Sequence, residues 1–331
     1  MFKCKCLLNN KIYALKEIPK YKLFTYNKMF SILNEPYFLV KLNKYDFLPK
    51  IVSSFQDYDN FYLITTLYEG KSLNFFRTQN LTEEQIKFVS ACVIQSLFYL
   101  RKEEIIHRDI MMKNIILDKD KYFNLIDFSF SIKYLDKNIE KNNMITYNRV
   151  TPPEILNKEE YDYNSDYYRL GSVIYFLIFK EYPLTTKKKN NITNQFIIKK
   201  IYKNYTSSCI DFLSKLLISD YKKRIGYKDI KELMKHEWFK GLDWKKLTKR
   251  KIKSPFKFFS NELNKSSCSK FIIPMNRIIR YKKISKKKIY LNLTKNFDYV
   301  NKIIIYNLIN KNLNTLYVVL ELSMNLINPL F

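Results

Sequence analysis

The chain has 331 residues, 47% of them hydrophobic, which suffices to bury a core in a two-part fold with a tail. Its 59 basic and 31 acidic residues leave a formal charge of +28, mostly lysine, which attracts anionic partners without selecting among them. The 5 cysteines, Cys4, Cys6, Cys92, Cys209 and Cys268, lack paired metal-ligand spacing, so neither a disulfide framework nor a zinc site is supported and an intracellular, cytoplasmic setting is expected.

The opening MFKCKCLLNNKIY has no apolar run of signal-peptide length. The apolar C-terminal stretch is broken by Asn312, Asn314, Glu321 and Asn325, so no membrane span is expected. β-patterned runs at 12–17, 48–55 and 62–67, with a helical stretch near 28–42, predict a small mostly-β lobe holding one helix. From Leu81 the texture turns helical. Thr82 and Gln85 form a capping box for a helix running to about Leu100, with Ile86, Val89, Val93, Leu97 and Leu100 on one face. Further helices are predicted at 165–179, 209–218 and 227–235, a buried strand at 123–127 and a long polar loop at 128–151. A loop of that length inside a compact domain is usually functional. After Trp244 the chain turns basic and loses periodicity, through KKLTKRKIKSPFKFF and KKISKKKIY, and the globular unit is expected to end there.

Five polar residues stand out by type and order. HRDIMMKN carries Asp109 and Asn114, LIDFS carries Asp127, and Lys16 in YALKEI ends a strand with Glu35 on the helix that follows. Phosphoryl transfer from ATP needs a cation on the phosphates, a held metal ion and a carboxylate near the acceptor hydroxyl, and these residues supply all three.

YALK, NE, HRD-x4-N, DF and PPE in this order resemble the protein-kinase signature set. FLPKIVSSFQDYDNFYLITTLYEG, DYYRLG and HEWFKGLDWKKL followed by SPF are similar to the AGC branch of serine/threonine kinases, over roughly residues 1–256. The resemblance implies an α+β, bilobal protein-kinase fold, with a small mostly-β N-lobe at 1–67, a larger helical C-lobe at 68–241 and a basic AGC-like tail at 242–331. It implies transfer of the γ-phosphate of ATP, with Mg2+, to protein serine or threonine hydroxyls. Asp109, Lys113 and Asn114 would be catalytic; Asn114 and Asp127 would hold the metal; Lys16, Glu35, Ala14, Thr66, Tyr68 and Ile116 would bind the nucleotide. Asp166 would brace the catalytic loop, Arg224 would pair with Glu154, Thr65 would be the gatekeeper, and Leu39, Ile51, His107 and Phe128 would stack as a spine. An apolar residue at such a position is more often ordinary core, so the spine and the adenine pocket rest on the family alone.

Several positions depart from that pattern. No glycine precedes Lys16, so the amides of a GxGxxG turn are missing; either the loop is lost or this start is truncated. Ser129 replaces the DFG glycine, a cost of about 1 kcal/mol where φ is positive. Met111 stands where serine/threonine kinases carry a lysine, with Lys113 as the substitute. Pro36 removes an amide and disfavours helical angles at Glu35, from which a distorted Lys16–Glu35 pair is expected. ITYNRVTPPE poorly matches the substrate platform, leaving Thr146 or Tyr147 near its threonine. A catalytically impaired pseudokinase, acting as a nucleotide-binding or partner-binding scaffold, is therefore the alternative reading.

Ser72, Lys113 and Phe176 occupy positions where basophilic members carry acidic residues, so a protein substrate neutral or acidic around its phosphosite is expected, and no specific nucleic acid. SPFKFF, with Phe256 and Phe258, resembles the segment by which AGC tails grip the small lobe, and NFD at 296–298 resembles their adenine-flanking motif. No oligomeric state is implied.

Overall fold

Alternating apolar residues and tight turns build the first part of the chain as a sheet. The computed structural model describes residues 1–6, 9–20, 29–56, 59–135, 150–157, 162–183, 205–257 and 299–300. Chain contacts divide it into two units, one of 1–44, 49–68 and 262–331, the other of 45–48 and 69–261.

In the first unit, β1 (Phe2–Lys5), β2 (Ile12–Pro19), β3 (Ile51–Gln56) and β4 (Asn60–Thr66) join through antiparallel ladders, and α1 (Met29–Leu42) packs on β3. Leu15, Phe55 and Tyr62 cluster on one face, and strand alternation puts Lys16 on the other. Phe38, Leu39 and Leu42 are buried along α1. That burial carries the helix through Pro36, where propensity alone would stop it.

The second unit begins with α2 (Glu83–Lys102), whose Thr82 and Gln85 make the expected reciprocal capping box. Next come β5 (Ile105–Ile106), β6 (Ile115–Leu117), β7 (Phe123–Leu125) and β8 (Ile132–Lys133), as two small antiparallel pairs, β5 with β8 and β6 with β7. Helices α3 (Pro153–Leu156), α4 (Tyr163–Phe179), α5 (Ser207–Leu216), α6 (Lys231–Met234) and α7 (Trp244–Thr248) complete it. Glu83, in the first turn of α2, accepts from the Thr206 amide and hydroxyl and from the Trp238 indole, tying three segments together. The helix expected at 227–235 shrinks to α6 because Gly226, at φ 88°, sets a turn ahead of it. The last described strand, β9 (Tyr299–Val300), pairs with β3 and gives the first unit's sheet the order β1-β2-β4-β3-β9.

One expectation about the tail is corrected. Packing does not stop near residue 242: Leu247 is fully buried, and Arg250 binds Asp118 and Asn124 while its guanidinium lies over Phe47 and Tyr122. Phe256, in the first part of the tail, joins Phe76, Phe88 and Phe123 in the second unit. Leu247, Arg250 and Phe256 are too widely spaced among lysines to give a periodic signal, yet Leu247 is buried and the other two find aromatic or acidic partners. Phe258, Thr146, Tyr147 and the NFD motif lie outside the described residues. Among the described residues no helix is long and apolar enough to cross a membrane.

Candidate active site

In the first unit, the antiparallel register sets Lys16 opposite Leu63, Ala14 opposite Thr65 and Tyr13 opposite Thr66. Lys16 Nζ donates to both oxygens of Glu35, at 2.9 and 3.1 Å. The pair expected to be distorted by Pro36 is thus made, because α1 holds its course and keeps the Glu35 carboxylate buried. Ala14 is buried, Thr66 and Tyr68 partly so. Thr66 is committed to Lys50: its amide donates to the Lys50 carbonyl at 2.9 Å and its hydroxyl oxygen accepts from the Lys50 amide at 3.2 Å.

In the second unit, the β6–β7 hairpin decides the layout. Ile115 faces Leu125, so Asn114 just before β6 and Ile126 just after β7 share one end, and the Ile126 amide donates to the Asn114 carbonyl at 2.8 Å. Asp127 follows directly, and the carboxylate and the carboxamide come from adjoining ends of one hairpin. At Gly70 the chain runs against β6 so closely that a Cβ would stand 2.3 Å from the Leu117 carbonyl oxygen. Ser72 then bridges to Ile116.

Asp109 is buried, and Asn114 Nδ2 donates to its carbonyl at 2.9 Å and to its Oδ2 at 2.8 Å. Lys113 Nζ lies 4.0 Å from the same oxygen, with its side chain mostly in solvent. From α4, Asp166 accepts from the amides of His107 and Arg108, at 2.8 and 2.9 Å, which holds Arg108 at a left-handed φ of 69°. Burial pushes the Asp166 carboxyl above the usual carboxylate range, while His107 and those amides pull it back.

His107 is fully buried with its ring against Phe128, centroids 4.9 Å apart. Its Nδ1 accepts from the Asp109 amide at 3.2 Å, so the proton sits on Nε2, which donates to the Ile126 carbonyl at 3.1 Å. One neutral imidazole therefore joins the Asp109 segment to the Asp127 segment. Burial holds its pKa below the ordinary histidine value.

Asp127 has a φ of 68° and its Oδ1 accepts from the Ser129 hydroxyl at 2.8 Å. Ser129 itself is absent from the residues of positive φ, so the strain expected of a non-glycine does not arise, and its hydroxyl orients the carboxylate instead. Sequence reasoning read Ser129 only as a loss. The signal was its place two residues after an acid, within reach of a side-chain hydrogen bond.

An Asp carboxylate and an Asn amide oxygen are hard donors, and two of them suit Mg2+, which takes its other ligands from phosphates and water. Asn114 spends its N–H groups on Asp109, so its amide oxygen is the ligating atom such a site would use. Farther on, Arg224 grips Glu154 through two bonds, at 2.8 and 2.9 Å, with both side chains sealed from solvent.

A family model described as protein kinase domain matches residues 1–239. The chain is 29% identical to the serine/threonine-protein kinase sgk-1 of Caenorhabditis elegans, over 74% of this chain and 54% of that protein. It is 31% identical to Sgk1 of Xenopus tropicalis over 75% and 60% of the two chains, and 29% identical to human Sgk1 over 74% and 58%. The chain thus spans between 54% and 60% of the length of these relatives. With its match over residues 1–239 and the ordered set Lys16, Glu35, Asp109, Asn114 and Asp127, the chain belongs to the protein kinase family.

Proposed function

We propose that the chain is a protein kinase that moves the γ-phosphate of ATP to serine or threonine hydroxyls of an intracellular protein, neutral or acidic around the acceptor. The observation that carries this reading is the catalytic loop, where Asp109 is buried, clamped by Asn114 and set on a backbone that Asp166 braces. A carboxylate held in that way is preorganised to orient an acceptor hydroxyl and take its proton as the oxygen–phosphorus bond forms. The bond from the γ-phosphorus to the β-phosphate oxygen breaks and ADP leaves. Lys16, fixed by Glu35, would hold the nucleotide phosphates; Asp127 and Asn114 would hold Mg2+, which neutralises developing phosphate charge. Ala14, Thr66, Tyr68 and Ile116 would flank adenine. Lys113, 4.0 Å from the Asp109 carboxylate, would stand in for the lysine that Met111 replaces.

The test is radiolabelled phosphate transfer from Mg-ATP to a mixture of serine and threonine peptides. Asp109→Asn is expected to lower transfer by at least about 10²-fold, the loss typical of a removed acid–base group. A wild-type chain that binds nucleotide but labels no peptide would leave the scaffold reading in its place.

A further inference from the structure

From Asp109 a strip of side chains runs across the second unit and ends on an exposed cation. Met112, next to Lys113, is buried with its sulfur 4.0 Å from the Tyr182 hydroxyl. The Tyr182 ring lies 4.6 Å from that of Phe176, and the Arg77 guanidinium sits 5.6 Å from the centroid of the Phe176 ring. The 3₁₀ turn Leu73–Phe76, which Arg77 closes, packs against the turn Met112–Asn114. Arg77 and Lys113 are both exposed, one beside each of the two turns, and Lys113 Nζ lies 4.0 Å from the Asp109 carboxylate. The neighbouring carboxylate of Glu181 is engaged with the Tyr175 hydroxyl.

We propose that Arg77, seated on Phe176, determines substrate specificity by taking an acidic side chain of the protein substrate, with Lys113 favouring a second one nearer the acceptor hydroxyl. The proposal rests on the kinase reading and names its substrate class. A guanidinium that rests over an aromatic face spends no N–H on it, which leaves the edge of its planar fork for bidentate pairing with a carboxylate. Phe176 supplies the platform and offers no carboxylate, so an arginine of a substrate would meet like charge there.

The test uses the full chain and two serine peptides differing only in whether aspartate or arginine flanks the serine. Peptide affinity is read by fluorescence anisotropy in an Asp109→Asn background, where turnover is not required, and KM and kcat are read in the wild-type background. The aspartate peptide is expected to bind more tightly. Arg77→Ala should weaken it about three- to fivefold, the size of one exposed ion pair, with the loss in KM rather than kcat. Arg77→Glu should erase or reverse the preference, and Arg77→Lys should restore part of it. Equal binding of the two peptides, tighter binding of the arginine peptide, or a preference unmoved by Arg77→Glu would overturn the proposal. A preference for aspartate that depends on Arg77, seen in a chain that transfers no phosphate, would support the proposal and count against the kinase reading alone.

Discussion

The Lys16–Glu35 pair of the first unit and the Arg224–Glu154 pair of the second are equally short, at 2.9 and 2.8 Å, but differently housed. Arg224 and Glu154 are sealed from solvent; the guanidinium also donates to the Asn164 and Ile218 carbonyls and lies over Tyr168, and Glu154 also accepts from Ser165. Lys16 keeps 24% of its side chain exposed while Glu35 keeps 4%. A sealed pair with every donor spoken for holds segments together and has no room for a ligand. A pair with its acid buried and its cation at the surface holds the cation in place for an anion from outside. The first arrangement serves the fold, and on the proposed function the second would serve chemistry.

Removing one partner of each pair separates those roles. Arg224→Ala strands a buried Glu154 and is expected to cost about 3–5 kcal/mol, read as a fall in urea midpoint at unchanged slope. Phe256→Ala, which empties a site among Phe76, Phe88 and Phe123, is expected to cost about 3 kcal/mol, and would return the tail to a peripheral role if it cost nothing. Lys16→Met also strands a buried Glu35, but on the side of the pair that meets solvent, so a smaller cost of about 1–2 kcal/mol is expected, while transfer is abolished. Equal destabilisation by Lys16→Met and Arg224→Ala would end the comparison.

The smallest effect is one of pH. His107 is held below the ordinary histidine pKa of 6.5, so on acidification the unfolded chain binds the proton first. The stability that depends on the neutral ring is complete above 6.5 and is lost as pH falls from there toward the lowered value, at up to about 1.4 kcal/mol per pH unit. Protonation would set an N–H on Nδ1 against the Asp109 amide, so the catalytic loop should loosen together with the fold. Melting temperatures between pH 7.5 and 5.5 should fall, and should fall less steeply in His107→Phe.

What could be read in the sequence was local or carried by motif. The Thr82–Gln85 box spans one turn and is decided by neighbours, and the strand leading to Asp127 follows from one short apolar run, whereas its hairpin partner at Ile115–Leu117 was not read. The Glu154–Arg224 pair joins residues 70 apart and was legible only through the family pattern. Pro36 was misjudged because backbone preference was weighed without Phe38, Leu39 and Leu42, whose burial on the sheet outweighs it. Phe256 was singled out through the SPFKFF motif, whereas Leu247 and Arg250 were missed since a lysine-rich stretch hides which residues have buried partners. The Arg77–Phe176 contact depends on the meeting of a 3₁₀ turn with α4, which no sequence spacing reveals.

The most direct measurement is thermal shift with Mg-ATP, taken beside phosphate transfer, for the wild type, Asp127→Asn and Asp109→Asn. Nucleotide at ten times its dissociation constant should stabilise the wild type by about 1.4 kcal/mol, a rise of about 3–5 °C. Asp127→Asn, which removes a metal oxygen, should lose the part of the shift that requires Mg2+, whereas Asp109→Asn should keep the shift and lose transfer. A wild-type chain that shows no shift at millimolar Mg-ATP, or an Asp127→Asn variant whose metal-dependent shift is intact, would contradict the assignment of the site.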